Sequence, residues 1–148
     1  MCVHDGIFHA DDVLCVAMAA VFLKHDIEVI RTRNVDIMAE ADICCDIKSP
    51  LGNLYIPNGV STTALIGGGC THFVFDHHTV EKDNEGNDAR KRYPSDVEDL
   101  PGILYSAASH FFEWVTSSGV QGLMPGAHMS EEKKAIIIDR LIKPVACQ

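Results

Sequence analysis

His72–Thr79 reads H-F-V-F-D-H-H-T, a short apolar run that stops on one carboxylate and two adjacent imidazoles. An apolar run of this length bounded by polar residues predicts a buried strand over His72–Phe75, with Asp76, His77 and His78 at its carboxyl end. Read blandly, that end is a polar turn with a chance pair of histidines. The chemical reading needs matching ligands where other strands stop.

Working outward, two such places occur upstream. Met1–Val3 is an extended stub that gives way to the polar turn His4–Gly6, inside H-D-G-I-F-H-A-D-D. Ile43–Ile47, in A-D-I-C-C-D-I, is a second strand that stops at Asp46. Between them, Leu14, Ala17, Met18, Val21 and Phe22 recur at helical spacing from about Ala10. Asp11 and Asp12 fall in that helix's first turn, where carboxylates suit the positive end of the dipole. Ile27–Ile30 is a strand candidate and Val35–Ala41 a second helix. This strand–helix alternation predicts an α/β fold with a parallel sheet and flanking helices. In open parallel sheets, sites form beyond the carboxyl ends of the strands, so the three ligand-bearing turns are expected to converge on one crevice.

The remaining chain is less regular. Residues 48–71 hold two prolines and five glycines and read as loop or hairpin, with Gly67–Gly69 a flexible turn. Residues 80–99 are charged, without apolar period, and read as a mobile surface loop. Pro101 fits the first turn of a helix to about Ser118, with Ile103, Leu104, Ala107, Ala108, Phe111, Phe112 and Val115 inward. Phe111, Phe112 and Trp114 read as core packing before base stacking. A last helix, Ser130–Ile142, opens on a capping-box-like S-E-E-K.

Composition narrows the function classes. The chain has 148 residues, 47% apolar and 22% charged, which is ordinary for one globular domain. No apolar run approaches the ~18–20 residues that cross a bilayer, so no membrane partner is expected. The start, M-C-V-H-D-G, lacks the basic and apolar regions of a signal peptide, so nothing marks secretion. Six cysteines, at 2, 15, 44, 45, 70 and 147, show no CxxC spacing; Cys15 and Cys44 lie in apolar patterns and read as small buried hydrophobes. The cysteine pattern argues against a disulfide framework or zinc knuckle, and the expectation is a reducing cell interior, the cytoplasm with nucleus or mitochondrion as alternatives. The net charge of −9 lacks the broad basic footprint of a duplex-binding protein. Arg90-Lys91-Arg92 sits among acids and reads as a solvated loop, and His25, His110 and His128 read as structural.

Mixed imidazole and carboxylate ligands suit divalent cations: Mn²⁺ first, with Fe²⁺, Zn²⁺ or Mg²⁺ possible. A carboxylate shared by two ions is what a two-metal phosphoesterase site needs, because such a pair polarises the phosphoryl group and activates water. For each residue a plainer role stands beside this one. Asp11 and Asp12 suit a helix start, Asp46 a strand end, and Arg31 and Arg33 surface ion pairs.

The ordered set H-x-G-x-F-H-x-D-D, R-T-R, A-D-I-x-x-D and F-D-H-H resembles the melanocyte-proliferating-gene family of the DHH phosphoesterase superfamily, over roughly residues 2–118. That resemblance implies a metal-dependent activity of exonuclease type. It implies His4 and His9 as ligands of one ion, Asp11 and His77 of the second, and Asp46 bridging both. Asp76 would ligate or orient, with Asp12 in support. His78 would donate a hydrogen bond or proton to the phosphoryl group, and Arg31 and Arg33, in the R-T-R segment, would contact phosphate. The family carries a further carboxylate after the third motif. Here the chain runs out at V-A-C-Q, and Asp139 in I-I-I-D-R-L is the candidate substitute.

The expectation is therefore a single DHH-type domain over 1–148, minimal or shortened, hydrolysing phosphoester bonds of short single-stranded RNA or DNA with two divalent ions. The alternatives are a small-molecule nucleotide or pyrophosphate hydrolase with the same chemistry, and a metal-binding domain without turnover.

Overall fold

The computed structural model describes residues 1–23, 26–47, 60–66, 70–78, 82–116 and 129–147, with the backbone alone over 60–66 and 70–72. A five-stranded sheet runs in the order β2 (Ile30–Arg31), β1 (Cys2–Val3), β3 (Ile43–Cys45), β5 (Cys70–Phe75), β4 (Val60–Ile66). The first four lie parallel, and β4 adds an antiparallel edge against β5. This is the expected α/β class. The register pairs Cys2 with Cys44 and Val3 with Cys45, and Cys45 in turn with Phe75, so strands β1, β3 and β5 end together.

Both sheet faces are covered, which is why these strands read as continuous apolar runs. Side chains alternate with the strand period of two. Val3, Ile43, Cys45 and Phe75 face a cluster with α1 (Ala10–Phe22) and α3 (Ala107–Thr116), while Cys2, Cys44 and Val74 face Met38 of α2 (Val35–Glu40). Phe75 and Phe111 meet edge to face at 5.0 Å between centroids, and Trp114 lies 5.1 Å from Phe75 and 5.6 Å from Phe111. Phe111, Phe112 and Trp114 are therefore core, as their helical spacing indicates. Cys15, Cys44 and Cys45 are fully buried free thiols, and burial pushes the Cys44 thiol up to about 12. Among the described residues, no helix is long and apolar enough to cross a membrane.

Several boundaries differ from the sequence expectation: the strand expected over Ile27–Ile30 forms only as β2, Ile30–Arg31. Residues 103–104 are not helical but form β7 (Ile103–Leu104), paired antiparallel with β6 (Arg92–Tyr93). The two apolar residues happen to fall in helical register with Ala107 and Ala108, so periodicity alone extends the helix too far. A close approach enforces the ribbon: a Cβ on Gly102 would lie 1.7 Å from the Tyr93 carbonyl oxygen. Helix α3 starts after Ser106, whose Oγ accepts the Ser109 N–H at 3.3 Å.

Within the charged segment, a turn is organised by Asp83, whose Oδ1 accepts N–H bonds from Glu85 and Asn87 at 2.8 and 2.9 Å. The basic cluster is spent on acids: Arg90 and Arg92 both reach Asp88, and Lys91 pairs with Glu113.

The last helix is capped by Ser130, which accepts the Lys133 N–H at 3.3 Å. It runs as α4 (Glu131–Ile137), a π-helical segment (Ile138–Ile142) and α5 (Lys143–Ala146), passing the expected end at Ile142. Pro144 has no N–H and its ring crowds the carbonyl four residues back; the wider turn, closed by Lys143 N–H to the Ile138 carbonyl, accommodates it. The expected turn at Gly67–Gly69 and the histidines at 25 and 128 lie outside the described residues.

Candidate metal centre

Three turns at the carboxyl ends of β1, β3 and β5 face one cleft of about 550 Å³. The first turn, residues 4–9, is fastened by β2 and the residues after it. Arg31 donates from Nε to the His4 carbonyl at 3.2 Å and from Nη2 to the Gly6 carbonyl at 2.5 Å. Its guanidinium also lies 4.4 Å from the Phe8 ring centroid. Arg33 pairs with Asp5 at 3.0 Å and meets His4 Nε2. The His4 ring folds back so that Nδ1 accepts the Gly6 N–H at 3.1 Å. Gly6 has no Cβ, and one there would fall 2.2 Å from His4 Cε1.

Helix α1 begins immediately after His9, whose N–H donates to Asp12 Oδ2 at 3.2 Å. That places Asp11 and Asp12 in a buried first turn, 7% and 0% exposed. Asp11 spends an oxygen on each of two N–H groups at the start of α3, Ala107 at 2.9 Å and Ala108 at 2.8 Å. It ties the two helices together beside the site.

Asp46 is the centre. It follows β3 with φ of +54°, a left-handed conformation that few non-glycine residues adopt and that Asp tolerates better than most. Its N–H bonds the Phe75 carbonyl at 2.8 Å, locking that conformation to the adjacent strand end. The residue is 3% exposed, and its Oδ1 has no hydrogen-bond partner among the described residues. Three imidazoles surround it: His9 Nδ1 at 3.7 Å, His77 Nδ1 at 3.5 Å and His78 Nδ1 at 3.8 Å.

A buried carboxylate oxygen without a partner is costly unless something charged meets it. Burial, then the charge of Asp11, pushes the Asp46 carboxyl up to about 6, against the pull of His77 and His78. For Asp11, burial works upward, but His77, the Ala108 N–H and Ser106 outweigh it and hold the carboxyl below its usual range. His77 is raised, chiefly by the Asp11 carboxylate 3.5 Å from its Nδ1, against burial and with help from Asp46. Unprotonated, the same Nδ1 accepts the Ala107 N–H at 3.2 Å.

Two sets of side chains could each hold a metal ion: Asp46 with His77 and His78, and His9 with Asp12 and Asp46. In each set, one ligand atom per residue lies within 4.8 Å of the others. Asp46 belongs to both. An unpartnered carboxylate oxygen among imidazoles is the donor chemistry a divalent cation takes, so the residues fit such an ion.

Of the residues singled out in the sequence, His9, Asp46, His77 and His78 come together, and Asp11 stands against His77. Asp12, expected in support, joins a ligand set. His4 lies outside both sets, its ring stacked on His9 at 5.5 Å and both nitrogens engaged. Asp76 is also outside them and accepts from His78 Nδ1 at 2.5 Å. Arg31 and Arg33 are committed to the 4–9 turn. Asp139 is not among the residues that line the cleft and pairs with Lys143 at 2.7 Å.

Leu104, Tyr105, Ser106, Val145 and Ala146 also line the cleft, and none is a candidate site residue in the sequence. Ser106 carried a signal, as a helix-capping residue; Val145 and Ala146 carried none.

No curated protein and no solved structure matches this chain. Residues 1–53 match the family model MYG1_exonuc, described as "Uncharacterised protein family (UPF0160)", a span that runs from β1 past Asp46 and includes His4, His9, Asp11, Asp12, Arg31 and Arg33.

Proposed function

We propose that the chain is a metal-dependent phosphoesterase of DHH type, acting in exonuclease fashion on the ends of short single-stranded RNA or DNA. The observation that supports this best is Asp46, a buried carboxylate with an unpartnered oxygen, common to two ligand sets. The name of the family model matched over residues 1–53 points the same way. In this reading two divalent ions occupy the cleft, Mn²⁺ preferred and Mg²⁺ or Zn²⁺ able to substitute. His9, Asp12 and Asp46 hold one; Asp46 and His77, with Asp11, hold the other. Bound ions of this kind supply Lewis-acid polarisation of the phosphoryl group and a water acidic enough to attack it.

The chain's own groups do the rest. Asp11 takes the two α3 N–H groups and keeps further lone pairs on its oxygens for a cation, so the α3 start fixes its direction. Asp76 accepts from His78 Nδ1 and fixes that ring, leaving Nε2 to donate to the phosphoryl oxygen or leaving group. His4 buttresses His9 by stacking, and Arg31 and Arg33 hold the turn that carries both. The acidic surface and the acid-paired basic cluster suit a substrate that offers few phosphates, not a duplex. Free thiols throughout the described core agree with a reducing intracellular compartment.

The test is hydrolysis in Mn²⁺ of a short single-stranded oligonucleotide beside a mononucleotide and pyrophosphate. Release of terminal nucleotides supports the reading. Cleavage of pyrophosphate alone would move the substrate to small molecules, and no hydrolysis of any of them, with metal bound, leaves only a metal-binding domain.

A further inference from the structure

The cleft lining mixes two chemistries: His9, Asp11, Asp46, His77 and His78 are polar, while Phe8, Leu104, Tyr105, Val145 and Ala146 supply apolar surface. Phe8 stands out among these. It lies one residue before His9, lines the cleft, and is 45% exposed. An exposed phenyl ring is ordinarily found on a loose loop or at a contact surface. This one is held in place: Arg31 grips the carbonyls of His4 and Gly6 on the same turn, Arg33 pairs with Asp5, and the Arg31 guanidinium lies over one face of the ring, 4.4 Å from its centroid, so that a base would stack on the other. The fastening leaves an aromatic surface presented to solvent beside the ligand sets.

We propose that Phe8 is a stacking platform for the base of the substrate, so that the site takes a nucleotidyl phosphoester in preference to inorganic pyrophosphate or a sugar phosphate. The inference rests on the phosphoesterase reading above and adds to its nucleic-acid substrate the residue that receives the base. A molecule anionic at one end and flat and apolar at the other matches a lining that supplies both chemistries. Stacking on a ring is tolerant of base identity, because every base has a π-face, and this suits an enzyme that shortens a strand without reading it. Arg31 then acts as a positioning residue, setting the ring and not contacting phosphate.

The test uses the whole chain loaded with Mn²⁺ and measures equilibrium binding of adenosine monophosphate and of inorganic phosphate, in the native protein and in Phe8→Ala and Phe8→Trp. Removing a stacking ring weakens nucleotide binding by about ten- to a hundredfold. The expected result is a loss of that size in Phe8→Ala for the nucleotide, less than about twofold for phosphate, and recovery in Phe8→Trp. Equal weakening of both ligands would reveal a structural role, and no weakening of either would remove Phe8 from the site; either overturns the inference. The two proposals fail differently. Phe8-dependent nucleotide binding without hydrolysis defeats the phosphoesterase reading alone, whereas hydrolysis indifferent to Phe8 defeats the stacking platform alone.

Discussion

Replacing Asp46 by Asn should move stability in opposite directions with and without metal. Asn has the same shape and tolerates the left-handed backbone at φ +54° about as well, so the change isolates the charge. In the metal-free protein that charge is unfavourable: burial first, then Asp11, raise the carboxyl from 3.8 to about 6. A group raised on folding contributes stability below its unfolded value and loses it as pH climbs through the folded one. At ~1.4 kcal/mol per unit, the ionised Asp46 costs the metal-free fold about 3 kcal/mol above pH 7 and roughly half that at pH 5. For a chain of this length that is roughly 6–12 °C in melting temperature.

Chelated Asp46→Asn should therefore melt above the chelated native protein at pH 8, with the gap shrinking towards pH 5. Saturating Mn²⁺ should reverse the order, since an ion at a thousand times its Kd stabilises only the protein that binds it, by about 4 kcal/mol per site. Thermal unfolding followed by circular dichroism, with chelator or Mn²⁺ at both pH values, reads all of this. A chelated variant no more stable than the native protein at pH 8 would refute the electrostatic argument. A variant stabilised by Mn²⁺ as much as the native protein would refute the assignment to metal.

Mn²⁺ affinity should fall with acid, because Asp46 and His77 are both raised and must shed protons to ligate. Between pH 7.5 and 5.5 the loss should exceed about tenfold by calorimetry, and a flat profile would exclude these two as ligands. His78→Ala should lower kcat by about 10²- to 10⁴-fold, the usual worth of a positioned acid. It should keep Mn²⁺ affinity within a few fold. Loss of metal with activity would make His78 a ligand instead.

The strand ends were legible because each is an apolar run cut off by imidazole or carboxylate side chains, and parallel topology sends such ends to one side. How the two acids at the start of α1 divide their contacts was not legible. Asp11 and Asp12 are a third of a helical turn apart, and their roles depend on where α3 starts, 96 residues downstream of Asp11. That start is hidden in the sequence, because Ile103 and Leu104 keep the helical period while pairing with Arg92 and Tyr93 draws them into a ribbon. His4 matched a ligand pattern, yet Gly6 lets its ring fold onto the turn and Arg33 meets it there. Arg31, expected at phosphate, is claimed by two backbone carbonyls that no spacing rule reveals. The α5 wall depends on a helix continuing past Pro144 through a π turn, which local signals argue against.

Metal content per chain, measured by elemental analysis after dialysis against Mn²⁺, tests the shared carboxylate most directly. Two ions in the native protein and fewer than one in Asp46→Asn is the predicted result. Two ions retained without the Asp46 charge, or none in the native protein, contradicts it.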